Sequence, residues 1–257
     1  MVAVSGGRLA YHRTGGGGPS LVLSHGLTDN GLCWTRLARA LEADFDIVML
    51  DARGHGGSTG PVADDRSDPG RDIAEAIDGL GLTSPVVMGH SVGARATAAF
   101  AAGYPGLASR VVLEDPPLLP SPDAAEIAAR RGRFRRQVEK LHAMTPDEVT
   151  AVGRTLSPGW HQDEFPAWTA AKHQVDPDAM PSDVSPWQAT IGGITVPTLL
   201  IHGEAEMGSL ISPEIAAQAV ALNPAITAVR ISGAGHNVRR ENFTDYVAAV
   251  RAFLIPS

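Results

Sequence analysis

The pentapeptide GHSVG at residues 89–93 places a serine between two glycines where one chain pattern gives way to another. The apolar run PVVM at residues 85–88 precedes it, as expected for a buried strand, and the alanine-rich run ARATAAFAA at residues 94–102 follows it, as expected for a helix. Glycine on both sides permits a tight turn that presents the hydroxyl of Ser91 from a strained corner. The G-x-S-x-G pattern also occurs by chance, but its place between a strand and a helix favours a nucleophilic serine.

Short apolar runs alternate with amphipathic helical stretches along most of the chain, which is typical of a parallel sheet covered by helices. A helical stripe is visible at Ile73, Ile77 and Leu80, and another runs through the last helix. We therefore predict an α/β fold with a mostly parallel central sheet. The expected strands lie at residues 20–24, 46–50, 85–88, 110–113, 198–201 and 228–231, with an antiparallel edge near residues 9–13.

One long segment lacks a convincing buried strand and is rich in proline, tryptophan, histidine and arginine. We interpret residues 116–195 as an inserted helical cap and residues 1–115 and 196–257 as the core domain. The cap contains Trp160, Trp168 and Trp187, which are candidates for substrate contact; packing inside the cap is the competing interpretation.

Composition excludes several classes of partner. The chain has 257 residues, 44% of them apolar, and a formal net charge of −7, which argues against a nucleic acid or an anionic membrane as partner. The basic run RRGRFRR at residues 130–136 is therefore interpreted as a solvated cap helix. A single cysteine, Cys33, and a first segment without a signal-peptide pattern indicate a cytoplasmic protein, expected to be a monomer or a homodimer.

A serine hydroxyl becomes nucleophilic only when a base accepts its proton, an acid orients that base, and donors stabilise the oxyanion. Of nine histidines, His236 is the best candidate for the base, because it follows the last predicted strand in the glycine-containing loop GAGHN at residues 233–237. The amide of Val92 begins the helix after the serine and is expected to point at an anion.

Three further motifs accompany GHSVG: SHGLTDN at residues 24–30, DARGHGGS at residues 51–58 and GAGHN. Together, in this order, they resemble the α/β-hydrolase superfamily. The resemblance implies that Leu27 supplies the second oxyanion amide. It also places the orienting acid after the penultimate strand, where HGEAE at residues 202–206 contains Glu206.

More than one carboxylate could serve as the acid. The segment LEDPP at residues 113–117 offers Asp115 or Glu114 at a second location that the same superfamily uses, and Glu204 lies in the same loop as Glu206. We predict the triad Ser91, His236 and Glu206, which follows the chain order expected for this fold.

The motifs are most similar to the esterase branch that contains acyl-homoserine lactonases. They imply a cofactor-free enzyme that cleaves a small carboxylic ester or lactone through an acyl-enzyme intermediate. No metal site is expected, because the sequence has neither HExxH nor paired cysteines, and the first strand is not followed by G-x-G-x-x-G. Two further functions stay open: a hydrolase acting on a carbon–carbon bond or a polyketide-type intermediate, and a ligand-binding protein on the same scaffold.

Overall fold

The computed structural model describes residues 1–62, 68–180 and 185–255. Within these ranges the strands form a two-stranded hairpin and a seven-stranded sheet. The hairpin pairs β1 (Val2–Val4) with β2 (Gly7–Leu9). The main sheet contains β3 (Tyr11–Arg13), β4 (Ser20–Ser24), β5 (Asp46–Leu50), β6 (Val86–His90), β7 (Arg110–Glu114), β8 (Thr198–His202) and β9 (Ile226–Arg230).

The strand order is β3-β5-β4-β6-β7-β8-β9, and every neighbouring pair is parallel except β3 with β5. This arrangement confirms the predicted mostly parallel sheet with an antiparallel edge. The hairpin was not predicted, because its three-residue strands are too short to produce a clear pattern.

Helices cover both faces of the sheet. The described helices are α1 (Thr35–Leu41), α2 (Pro69–Gly79), α3 (Val92–Gly103), α4 (Ala124–His142), α5 (Pro146–Leu156), α6 (Phe165–Lys172), α7 (Trp187–Gly192), α8 (Pro213–Leu222), α9 (Val238–Glu241) and α10 (Phe243–Leu254). Alternate strand residues point to opposite faces. Val22 and Val87 therefore pack with α2, α3, α7 and α8, whereas Leu23 and Met88 pack with α1 and α10.

Local sequence explains where several helices begin. The side chain of Asp68 caps α2 by accepting from the amides of Gly70 and Arg71. In the cap, Asp123 does the same for α4, and Thr145 with Glu148 forms a reciprocal capping box at the start of α5. Each such cap satisfies backbone amides that have no partner inside the helix.

The segment inserted between β7 and β8 is helical. Helix α4 and the chain that follows α6 contribute a small apolar cluster, the cap cluster, made of Phe134, Val138, Val175 and Ala179. Its last helix differs from expectation. Helix α7 packs against α3 and α8, and Trp187 is buried in the main core. Residues 116–195 were predicted to form the cap, yet α7 packs as part of the core; residues 181–184 of that segment lie outside the described residues.

No helix in the described ranges is both long enough and apolar enough to cross a bilayer.

The contact between α2 and α3 depends on a glycine. A β-carbon built on Gly70 would lie 2.8 Å from the backbone nitrogen of Phe100, whereas one built on Gly103 would meet nothing within 4 Å. We expect Gly70→Ala to lower the free energy of unfolding by about 1–3 kcal/mol through overpacking. The matched change Gly103→Ala should raise it by about 0.4–1 kcal/mol, because alanine restricts the unfolded chain.

Urea denaturation of both variants and the parent measures these effects. Equal stability of Gly70→Ala and the parent would contradict the close approach of the two helices.

Candidate active site

Ser91 occupies a sharp turn between β6 and α3, with backbone angles φ 54° and ψ −123°. Its flanking glycines are required by close backbone approach. A β-carbon on Gly89 would lie 2.3 Å from the carbonyl oxygen of Gly93, and one on Gly93 would lie 2.4 Å from the carbonyl oxygens of both Ser24 and His25. The positive φ falls on Ser91 itself, a strained position that the surrounding structure must hold.

His236 meets the serine from the loop that follows β9. Its Nε2 lies 3.1 Å from the hydroxyl oxygen of Ser91, and its Nδ1 lies 2.6 Å from a carboxylate oxygen of Asp115. The loop is anchored by His90, whose Nε2 lies 3.0 Å from the carbonyl oxygen of His236 and donates to it. Burial lowers the pKa of His90 well below its usual value, so this ring stays neutral.

Asp115 is completely buried at the end of β7, with φ 43°. Its carboxylate accepts from the backbone amides of Leu210 at 2.9 Å and Ile211 at 3.3 Å, and from the hydroxyl of Ser209 at 2.5 Å. These donors orient the carboxylate toward the imidazole.

The predicted acid, Glu206, is wrong: the carboxylate on His236 belongs to Asp115. Glu206 lies in a short 3-10 turn on the exposed surface. The loop after β8 reaches the site through residues 209–211, which donate to Asp115, and at its start a β-carbon on Gly203 would lie 2.2 Å from the carbonyl oxygen of Ala234. The loop after β8 is thus pressed against the histidine loop by its backbone, and the Glu206 side chain stays at the surface.

Glu114 and Glu204, the two remaining candidates for the acid, have separate structural roles. Glu114 is buried and accepts from the backbone amide of Arg239 at 3.0 Å and from the hydroxyl of Tyr246 at 3.2 Å. Burial raises its pKa. Glu204 accepts from the amide of Gly233 at 3.4 Å.

Two cavities adjoin Leu27. One, of about 420 Å³, is lined by Ser91, His236, Trp160 and Trp168, among others. Trp160 and Trp168 meet edge to face, with ring centres 6.3 Å apart. The second, of about 640 Å³, is lined by Leu27 and Val92. Trp187, the third tryptophan expected to contact substrate, lines neither cavity and packs in the main core.

A cluster of buried charges, which had no clear signal in the sequence, borders the serine cavity, and Asp29, Lys172 and Arg240 are among its lining residues. Asp29, from the SHGLTDN loop, contacts Lys172 at 3.0 Å, Arg240 at 2.9 Å and Arg239 at 3.5 Å. Burial alone would raise the pKa of Asp29, but these cations hold it well below its usual value. Burial lowers the pKa of Lys172. Consecutive arginines directly after GAGHN, in VRRE at residues 238–241, were the only sequence signal for this cluster.

The remaining histidines of the motifs are structural. His25 Nδ1 donates to the carbonyl of Gly26 at 2.8 Å, and its Nε2 accepts from the amide of Ala52 at 3.0 Å, which makes the ring neutral. His55 contacts the His25 ring with centres 4.9 Å apart. Across the described part of the chain, no group of three or more histidine, cysteine, aspartate or glutamate side chains could hold a metal ion.

Burial of the motif histidines predicts acid sensitivity. Burial, followed by the neighbouring His25, lowers the pKa of His55 to about 3. Below about pH 6.5 the unfolded chain protonates this residue while the folded chain does not, so stability should fall as the pH drops from about 6.5 towards 3. His55→Asn should reduce the slope of unfolding free energy against pH in this window by about 1.4 kcal/mol per pH unit.

Chemical denaturation at several pH values measures the slope. His12→Asn, at an exposed position on β3, serves as the control and should keep the parent slope. An unchanged slope in His55→Asn would show that the imidazole charges in the folded protein.

Comparison with known proteins identifies the family. Residues 21–250 match the model of the alpha/beta hydrolase family. N-formylmaleamate deformylase from Pseudomonas putida is 30% identical over 262 residues, covering 98% of this chain and 95% of that protein. The 2-(acetamidomethylene)succinate hydrolase of Mesorhizobium japonicum is 29% identical over 266 residues, covering 96% of this chain and 92% of that protein.

Solved structures show the same fold. That of an E-2-(acetamidomethylene)succinate hydrolase superposes with a TM-score of 0.81 at 24% identity, covering 96% of this chain and 95% of that one. A carboxylesterase from Bacillus subtilis gives a TM-score of 0.75 at 22% identity, covering 100% of this chain and 90% of that one. The chain therefore belongs to the alpha/beta hydrolase family and is a hydrolase of that fold.

Proposed function

We propose that the protein is a serine hydrolase that cleaves small carboxylic esters or lactones through an acyl-enzyme intermediate. The observation that carries this proposal is the unbroken chain of hydrogen bonds from Asp115 through His236 to Ser91, at 2.6 Å and 3.1 Å. A serine, a histidine and a buried carboxylate in this geometry have the parts needed to activate an alcohol.

In the proposed mechanism, His236 Nε2 accepts the proton as the Ser91 oxygen attacks the substrate carbonyl. Asp115 keeps the other ring proton on Nδ1 and stabilises the imidazolium. The amides of Leu27 and Val92 stabilise the oxyanion. The imidazolium then protonates the leaving oxygen as its bond to the acyl carbon breaks, and a water activated by His236 releases the acid and restores Ser91.

The size and lining of the serine cavity support a small substrate. Its volume of about 420 Å³ is near the lower end of ligand pockets, and Trp160 and Trp168 give it an aromatic wall. Exposed Lys140 and Gln137 also line it, which leaves room for a polar group on the substrate.

A second candidate is hydrolysis of a small amide. It is favoured by the two similar proteins from Pseudomonas putida and Mesorhizobium japonicum, which match nearly the whole chain. Their names specify a formyl and an acetamido compound. The same groups would act, with His236 protonating a leaving nitrogen instead of oxygen. Two groups of substrates decide between the two functions by their values of kcat/KM. The first is p-nitrophenyl acetate, simple lactones and acyl-homoserine lactones; the second is N-formyl amides and N-acetyl enamides of dicarboxylic acids.

Replacing the serine tests the chemistry itself. Ser91→Ala should reduce kcat by about 10⁶-fold, as expected when the nucleophile of such a triad is removed, while leaving the fold intact. Hydrolysis of p-nitrophenyl esters and labelling by a fluorophosphonate probe are the measurements, with circular dichroism as the control for folding. Activity retained in Ser91→Ala would overturn the mechanism, and an unreactive Ser91 in the parent would favour a ligand-binding protein.

A paired substitution tests which carboxylate orients the imidazole. Asp115→Asn should lower kcat by about 10³–10⁴-fold, because the amide no longer holds the correct tautomer. Glu206→Gln changes an exposed carboxylate in the same way and should keep kcat within about twofold, as surface substitutions usually have small effects. Steady-state kinetics of both variants on one substrate give the comparison, and a larger loss in Glu206→Gln would reverse the assignment.

A further inference from the structure

Lys172, the last residue of α6, connects the cap to the loop that follows β4. Its side chain is buried, and its ammonium donates to the carbonyl oxygen of Thr28 at 2.9 Å, to the hydroxyl of Thr28 at 2.9 Å and to the carboxylate of Asp29 at 3.0 Å. All three ammonium donors are therefore used, two of them on one residue of the loop.

The same loop has other contacts with the cap. The side-chain amide of Asn30 donates to Gln174 at 2.8 Å, and the side chain of Leu27 packs against the cap cluster. The cap thus holds residues 27–30 through the apolar contact at Leu27, the ammonium of Lys172 and the hydrogen bond between Asn30 and Gln174. Thr28 directly follows Leu27, so its conformation sets the direction of the Leu27–Thr28 peptide. The amide of Leu27 lies on the other side of the Leu27 Cα and is held through that residue.

Thr28 is held in a costly conformation. Its φ is 66°, in the left-handed region, although threonine is β-branched. Such a residue costs about 1–3 kcal/mol and persists only where the surroundings hold it. The bonds from Lys172 to its carbonyl and hydroxyl provide such a hold.

Three cations share the charge of Asp29, and the two arginines also pair with other buried carboxylates, Arg239 with Glu114 at 3.2 Å and Arg240 with Glu164 at 3.2 Å. Arg240 contacts the Asp29 carboxylate at 2.9 Å, and Arg239 lies 3.5 Å from it. Both arginines contact one carboxylate oxygen of Asp29, Oδ2, whereas Lys172 contacts the other, Oδ1, and in addition donates twice to Thr28. Its position therefore combines two roles, compensation of the charge of Asp29 and a hold on the loop at Thr28, and a variant that keeps the charge separates them.

We propose that Lys172 is a positioning residue: by holding Thr28 in the left-handed conformation, it aims the amide of Leu27 at the oxyanion formed on Ser91. The cap then sets the rate of the chemical step, in addition to enclosing the substrate. This inference rests on the proposed function, because it requires an oxyanion at Ser91.

The test compares two isosteric changes on one helix. Lys172→Met removes the ammonium. Thr169→Val, one turn earlier on α6, removes a hydroxyl whose 2.7 Å hydrogen bond goes to Thr150 within the cap and not to residues 27–30. Loss of one oxyanion donor costs about 10²–10³-fold in kcat, so misaiming it should cost about 10–100-fold with KM within threefold.

Three measurements are made on each variant: kcat and KM, the rate of Ser91 labelling by a fluorophosphonate, and hydrogen exchange of residues 25–31. We expect Lys172→Met to lower kcat and the labelling rate and to speed exchange of the loop, while Thr169→Val leaves all of these unchanged. Lys172→Arg keeps the charge beside Asp29 but not the two contacts to Thr28, so it should show an intermediate loss of kcat. It replaces Lys172→Met in the comparison if Lys172→Met does not fold.

Each outcome decides the question. A kcat within twofold of the parent in folded Lys172→Met or Lys172→Arg, a change in KM alone, or an equal loss in Thr169→Val would overturn the positioning role while leaving the proposed function intact. Failure of the parent itself to be labelled at Ser91 would overturn both.

Discussion

Contact of backbone against backbone at Gly93 is the constraint on which the site depends. The carbonyl oxygens of Ser24 and His25 lie where a side chain on Gly93 would be, so the start of α3 and the end of β4 meet without intervening side chains. This contact brings the turn that carries Ser91 beside the loop that carries Leu27. The proposed arrangement of Ser91 with the amides of Leu27 and Val92 at one sheet edge requires that close approach, which only glycine allows.

The neighbours of the serine extend this arrangement to the base. His90 is buried beside Ser91 and holds the carbonyl of His236, while the two rings lie with centres 4.8 Å apart. Because His90 stays neutral, with its pKa lowered by burial, it donates to that carbonyl without adding a charge beside the imidazole. The turn that presents the serine therefore also positions the loop that presents the histidine.

Buried ion pairs join the cap to the core. Asp29 and Arg240 belong to the core, and Lys172 and Glu164 belong to the cap, with Arg240 3.2 Å from Glu164. Buried pairs contribute little net stability, since desolvation offsets most of their attraction, but removing one partner leaves a costly unpaired charge. Such a cluster permits few other placements of the cap, which is what the positioning role proposed for Lys172 requires.

What the sequence determined by itself is local: the alternation of strands and helices, the turn at Ser91 and the glycine-rich loop at His236 all follow from patterns within a few residues. Choosing Asp115 over Glu206 needed the tertiary structure, because each residue follows a buried strand and only the folded chain shows that residues 209–211 and His236 meet Asp115. The partners that decide the site are far apart in sequence, by 121 residues for Asp115 with His236 and 144 for Thr28 with Lys172. No local pattern encodes such contacts, because they form only when the sheet brings its strand ends together and the cap closes over them.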